Sequence, residues 1–163
     1  MNQELAKILA DAEGRFFDEG EAAGLVGYAD TLLARLDTLQ AVERAEEAIL
    51  DDVVHTVMGH FPELTKVHGP ETDKRVRRDQ MMVLRYAAFG MVMQDPQFVY
   101  DKIACWLRSI MYALCDVRQV VAGYDALIGA LHTHLTAEDA ALMERYVRVV
   151  LNEFQQHEER AAA

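Results

Sequence analysis

The sequence predicts an all-α fold, and three observations predict it. Apolar residues recur at three- and four-residue spacing, as in Leu5, Ile8, Leu9 and Ala12, and again in Leu25, Tyr28, Leu32, Leu36 and Leu39. No segment alternates β-branched and polar residues as a strand requires. Only three prolines and nine glycines punctuate 163 residues.

The first stripe predicts a helix over 2–16, the second a helix over 19–45, and a further helix follows over 46–61. Phe61-Pro62 ends that third helix, because the residue before a proline is pushed out of helical geometry. His68-Gly69-Pro70 falls in the loop beyond it. Another helix is expected over 71–94. Asp95-Pro96 reads as an N-cap with proline at the first helical position, opening a helix over 97–115. A helix over 117–134 comes next. Thr136-Ala137-Glu138-Asp139 opens the last, over 137–158, with threonine capping and acids facing the positive end of the dipole. The tail from His157 to Ala163 is expected to fray. The chain shows no repeat and no low-complexity segment, and its length fits one domain, 1–163, since chains split beyond ~250 residues.

Composition narrows the function. Hydrophobic residues make up 52% of the chain, enough for a core. The net charge is −11, with 27 acidic against 16 basic residues, which argues against nucleic acid or an anionic membrane as partner. The apolar runs are short, none approaching the ~20 residues that cross a bilayer. The first residues carry Glu4 and Asp11 and no secretory pattern, so a cytoplasmic location is expected. Against this acidic background Lys74, Arg75, Arg77, Arg78 and Arg85 crowd into twelve positions, a local patch suited to a small anionic ligand. Cys105 and Cys115 lie ten apart on one expected helix, ~15 Å along its axis, too far to pair. They read as buried thiols, and no spacing resembles a zinc site.

The stretch Arg77 to Tyr86, RRDQMMVLRY, resembles the phycobiliprotein pattern in which a Cys-x-Arg-Asp element precedes Leu-Arg-Tyr by a fixed interval. Here Arg78-Asp79 and Leu84-Arg85-Tyr86 stand at that interval. The likeness extends to AKILADAEGR near the start, to Arg35–Leu64, and to LRSIMYAL and TAEDAALMERYVRVVLNEF, in order along nearly the whole chain. The resemblance implies a globin-like, phycocyanin-like helical bundle: a core over 36–158, a tail over 159–163, and an N-terminal helical hairpin over 1–35 through which two subunits meet, as a homodimer or with a related globin. It also implies that Glu13 pairs with Arg85 across the interface; the alternative is two solvated charges.

One departure matters. Two residues before Arg-Asp, where the family carries its chromophore cysteine, this chain has Val76. A thioether there is impossible, so the implied open-chain tetrapyrrole, biliverdin or a reduced bilin, would be held non-covalently; the alternative is an adduct with another thiol, Cys105 or Cys115. Within the family the chain looks most like the bilin biosynthesis-associated globins, and a carrier, sink or sensor role follows. A bilin offers two propionates, matched by an arginine fork, and pyrrole N–H groups, matched by a carboxylate that favours the protonated pigment. The resemblance gives the pyrrole role to Asp79 and the propionate role to Arg78, helped by Arg75 or Lys74. Tyr86, Trp106 and Tyr112 are candidate walls for the rings. The plainer reading of Arg78-Asp79 is a surface ion pair worth ~0–1 kcal/mol.

Haem is not expected, because no histidine lies between His68 and His132 to serve as a proximal ligand. His55 and His60 read as structural, and His132 and His134, two apart, do not share a helix face. No nucleophile elbow, phosphate loop or metal motif suggests an enzyme. Glu43, Glu46, Glu47, Asp51 and Asp52 read as a solvated face. The competing functions are a pigment-free interaction protein and a pigment-detaching factor, for which Asp79 would be the general acid or base.

Overall fold

The computed structural model describes residues 2–114 and 116–161, with side chains other than those of residues 3, 4, 112–114 and 156–161. No strand occurs among the described residues. The chain opens with α1 (Gln3–Asp11) and α2 (Glu19–Asp30), followed by α3 (Leu32–His60) and the short α4 (Leu64–His68). Then come α5 (Thr72–Met93), α6 (Pro96–Val99), a π-helical turn over Tyr100–Ala104, α7 (Cys105–Leu114), α8 (Val117–His134) and α9 (Ala137–Ala161). The core lies where α3, α5, α8 and α9 pack together, and Ile49, Val53, Leu84, Met91, Leu127, Met143 and Phe154 are wholly buried there.

The local punctuation read from the sequence works as expected at several joints. Asp95 Oδ1 accepts from the Phe98 N–H at 3.0 Å, with Pro96 at the first helical position. Thr136 Oγ1 accepts from the Asp139 N–H at 3.2 Å, and Thr38 reaches Asp139 at 2.5 Å to tie α3 to the start of α9.

Other boundaries need correction. The first helix stops at Asp11 rather than 16, and Gly14 turns the chain with a φ of 82°, a left-handed conformation that favours glycine. Arg15 then grips Glu21 at 2.6 Å and holds its carboxyl down to about 2, beside a capping box formed by Asp18 and Glu21. The expected joint at 45/46 does not exist: helix formers and the buried series Val42, Ile49, Val53 and Val57 carry α3 straight through it. The break falls instead at Thr31, where the buried Arg35 guanidinium donates to the Tyr28 carbonyl at 2.7 Å and to that of Thr31 at 3.2 Å. The expected loop after Pro62 contains α4, closed by Gly69 at a φ of 89°. The last helix runs to Ala161, three residues past the expected 158.

Gly90 marks the closest approach of α5 to α6. A Cβ there would lie 2.3 Å from Val99 Cγ2 and 3.3 Å from the Asp95 carbonyl oxygen. Gly90→Ala is therefore expected to destabilise the protein by about 1–3 kcal/mol through overpacking, against a gain of ~1 kcal/mol in helix propensity. A urea midpoint at or above that of the parent would mean that α6 yields without cost.

Candidate functional site

Two faces of α5 are set by its sequence. Gln80, Val83, Leu84 and Ala87 recur at helical spacing and are buried. Arg75, Asp79, Met82 and Tyr86 form the neighbouring, partly exposed face. The N-terminal half of that face opens onto a cleft of about 240 Å³, a little below the ~300–1,000 Å³ of enclosed small-molecule sites and open at its mouth. Val57, Leu64, Val76 and Val120 give it apolar walls, and Gly123 of α8 forms part of the far side. Arg75, Asp79, Gln80, His68, Thr72 and Gln119 supply the polar groups. Thr72 donates to the Gly69 carbonyl at 2.6 Å, which fixes the turn into α5.

Asp79 is the half-buried acid of this cleft. Burial pushes its carboxyl above the ordinary aspartate range, and the Arg78 and Arg75 charges oppose that shift. The contact between Arg78 and Asp79 is long, 3.4 Å from both Nε and Nη2, and Arg78 is largely exposed. At that distance the pair is weak, so Asp79 keeps its capacity to accept hydrogen bonds.

The basic cluster divides by role. Arg77 bridges Glu47 and Asp51 on α3, and Lys74 turns away to Glu71 at 2.7 Å. Arg85 holds Glu46 at 2.6 Å and keeps its carboxyl below the usual range. Arg75 and Arg78 are left beside Asp79. Within the chain Arg85 therefore pairs with Glu46 of α3, and the exposed Glu13 lies between α1 and α2. Of the acids read as a solvated face, Glu43, Glu47, Asp51 and Asp52 are exposed, whereas Glu46 is half-buried by that pairing.

Tyr86 and Trp106 come together, but in a second groove with Met82, Asp101, Lys102 and Ile103. Tyr86 lies seven residues beyond Asp79, ~10 Å along the same face of α5. The π-helical turn carries Asp101, Lys102 and Ile103 into this groove. The Tyr112 side chain and Cys115 lie outside the described residues. Cys105 is a free thiol, half-buried rather than buried, because it sits on the edge of α7 where the π-helical turn ends.

His55 and His60 are exposed rather than set into an apolar face, because the buried face of α3 runs through Val53 and Val57 and leaves their positions outside it. His132 bonds Glu144 at 2.7 Å and His134 bonds Asp52 at 2.6 Å, so the two diverge to different helices. No group of three or more potential metal ligands occurs among the described residues, and no helix there is long and apolar enough to cross a membrane.

Gln80 was not singled out by motif reasoning, although its spacing from Val83, Leu84 and Ala87 marks an amide on a buried face. It is 7% exposed, and its Oε1 is buried without a hydrogen-bond partner.

Comparison with known proteins places the chain in a family. The profile of the phycobilisome protein family matches residues 8–154. The chain is 28% identical over 141 residues to the C-phycoerythrin class 2 subunit beta of Parasynechococcus marenigrum, covering 82% of this chain and 79% of that one. It is 27% identical over 115 residues to the R-phycocyanin beta chain of Polysiphonia urceolata, 67% of each chain. It is also 22% identical over 151 residues to a putative allophycocyanin subunit alpha 2 of Nostoc sp., covering 90% and 94%.

Proposed function

The chain belongs to the phycobilisome protein family, whose globin-like members carry linear tetrapyrroles, and from that premise we propose that it binds an open-chain tetrapyrrole non-covalently in the cleft beside α5. The observation that carries the reading is the half-buried Asp79 in an apolar-walled cleft, with Arg75 and Arg78 next to it. The residues suit the group. The apolar walls match the faces of a conjugated pigment, and the two guanidinium groups match its propionates. Burial that raises the Asp79 carboxyl is offset by a cationic partner, which a protonated tetrapyrrole supplies. The unpaired Gln80 oxygen leaves one further polar group in the same cleft without a partner.

In this reading Asp79 accepts from the inner ring N–H groups, Arg78 and Arg75 hold propionates, and Lys74 adds charge at the mouth. Tyr86, farther along α5, and Trp106 of α7 flank the end of an extended pigment. Val76 lines the cleft where a tethering cysteine would stand, so the pigment is exchangeable. An exchangeable pigment suits a carrier, sink or sensor in bilin metabolism better than an antenna, which needs fixed orientation. The protein is then a cytoplasmic binding protein rather than an enzyme, related in role to the bilin biosynthesis-associated globins.

The N-terminal hairpin supplies the subunit contact. Phe16 is 97% exposed and Leu33 73%, and Val26 and Phe89 also face solvent. Isolated exposed apolar residues are ordinary, but this set lies on and beside a hairpin too short to bury its own stripe. In the dimer Glu13 approaches Arg85, which remains 61% exposed beside Glu46 and is free to take a second carboxylate.

The test is a visible absorption spectrum of protein purified from cells that also make biliverdin. A structured red band that survives desalting and is released by acid and urea is expected. A colourless protein would overturn the bilin reading in favour of a pigment-free interaction role.

A further inference from the structure

We propose that the Gln80 carboxamide pairs with a lactam end ring of the tetrapyrrole, and that position 123 is glycine to leave room for that pairing. The proposal rests on the bilin reading of the same cleft and adds a residue that recognises one end of the pigment.

Two local costs coincide here. Gln80 is buried with Oε1 unpaired, an arrangement that lowers stability unless something else uses the group. Opposite it, Gly123 sits inside α8 with ordinary helical geometry, so the backbone does not require glycine and the residue weakens the helix. What it provides is space: a Cβ at 123 would lie 2.8 Å from Gln80 Nε2. Position 123 thus keeps the carboxamide where it is, at the wall of the cleft, and both residues line that cleft.

The chemistry of the amide selects the ligand group. A primary carboxamide presents a donor and an acceptor along one edge. A lactam presents the complementary N–H and C=O along one edge, so the two can share a pair of parallel hydrogen bonds. Asp79 accepts only and Arg75 donates only, so neither offers that match. The terminal torsion of glutamine is broad, and a rotation about it turns Oε1 from its buried position towards the cleft.

The experiment compares two probes on the full chain: biliverdin, and biliverdin whose end-ring lactams are converted to methyl lactim ethers with both propionates free. Gln80→Met keeps the length of the side chain and removes its polarity. It is expected to weaken biliverdin binding about tenfold, to leave the weaker binding of the lactim ether unchanged, and to raise the thermal midpoint of the ligand-free protein. Gly123→Ala, which displaces the carboxamide, is expected to show the same selective loss. Equal losses for both probes, or undiminished biliverdin binding by Gln80→Met, would overturn this proposal alone. Failure of the parent protein to bind biliverdin would overturn the bilin reading and this proposal with it.

Discussion

Asp79→Asn is expected to weaken biliverdin binding about a hundredfold and to shift the bound red band, while the ligand-free protein stays folded. A carboxylate accepting from a protonated tetrapyrrole makes charge-assisted hydrogen bonds of ~1.5–3 kcal/mol each, and about 3 kcal/mol corresponds to a hundredfold in affinity. Asparagine keeps one acceptor but loses the charge that stabilises the pigment cation, so the spectrum changes along with the affinity. Stability moves the other way. Burial raises the Asp79 carboxyl above 3.8 in the fold, so the folded state binds that proton more tightly than the unfolded chain does. The penalty is absent well below 3.8, grows as pH rises towards the folded value, and is fully present above it. Asp79→Asn should therefore be at least as stable as the parent at neutral pH, and should lack this component of the fall in stability between acid and neutral conditions. Pigment titration, together with urea melts at pH 4 and 7, checks both halves. Unchanged affinity and an unchanged spectrum would remove the carboxylate from the site.

The contrast between Asp79 and its neighbours shows what the sequence could and could not convey. Joints made by adjacent residues were legible: Asp95-Pro96 and Thr136–Asp139 act through a cap within three residues of the helix start. Joints fixed from a distance were not. The break at Thr31 depends on the Arg35 side chain reaching back to two carbonyls, and no local breaker announces it. The missing break at 45/46 is the converse, since the buried face of α3 continues through it. Gly69 was read as a loop residue, whereas it closes the single helical turn of α4.

In the candidate site, Arg78, Asp79 and Arg75 were named through the resemblance carried by RRDQMMVLRY, and all three lie on α5 with Leu84-Arg85-Tyr86. The division of the basic cluster could not, because Arg77 and Arg85 are claimed by acids on α3 some thirty to forty residues earlier. Tyr86 and Trp106, named as candidate walls for the rings, line a second groove rather than the cleft, and the π-helical turn that shapes that groove has no sequence signature. Gln80 could have been flagged as a polar residue on a buried face; its significance appears only when Gly123 is seen opposite it.

Arg35→Met is expected to cost about 3–5 kcal/mol and to release the N-terminal hairpin from the core before the core itself unfolds. The residue is 2% exposed, and its guanidinium meets the carbonyls of Tyr28, Thr31 and Val92. These are the C-terminal ends of α2 and α5, so two negative helix-dipole ends converge on one buried cation. The guanidinium also lies 4.3 Å from the centre of the Tyr28 ring, adding a cation–π contact. Methionine fills a similar volume but leaves the carbonyls without their donor, at ~1–3 kcal/mol for each that stays buried and unpaired. Arg35→Lys keeps the charge but not the fork that reaches separate acceptors, so an intermediate loss is expected. Other ties of the hairpin to this region include the Asn2 side chain donating to the Gln94 carbonyl at 3.0 Å and Gln94 donating to Thr31 at 3.1 Å. Amide hydrogen exchange should thus accelerate across residues 3–30 of Arg35→Met by far more than across α8 and α9. If subunits associate through that hairpin, as proposed, sedimentation should show dissociation at protein concentrations where the parent remains paired. Uniform protection and an unchanged urea midpoint would mean that water replaces the guanidinium without cost, and that the hairpin is held by its apolar contacts alone.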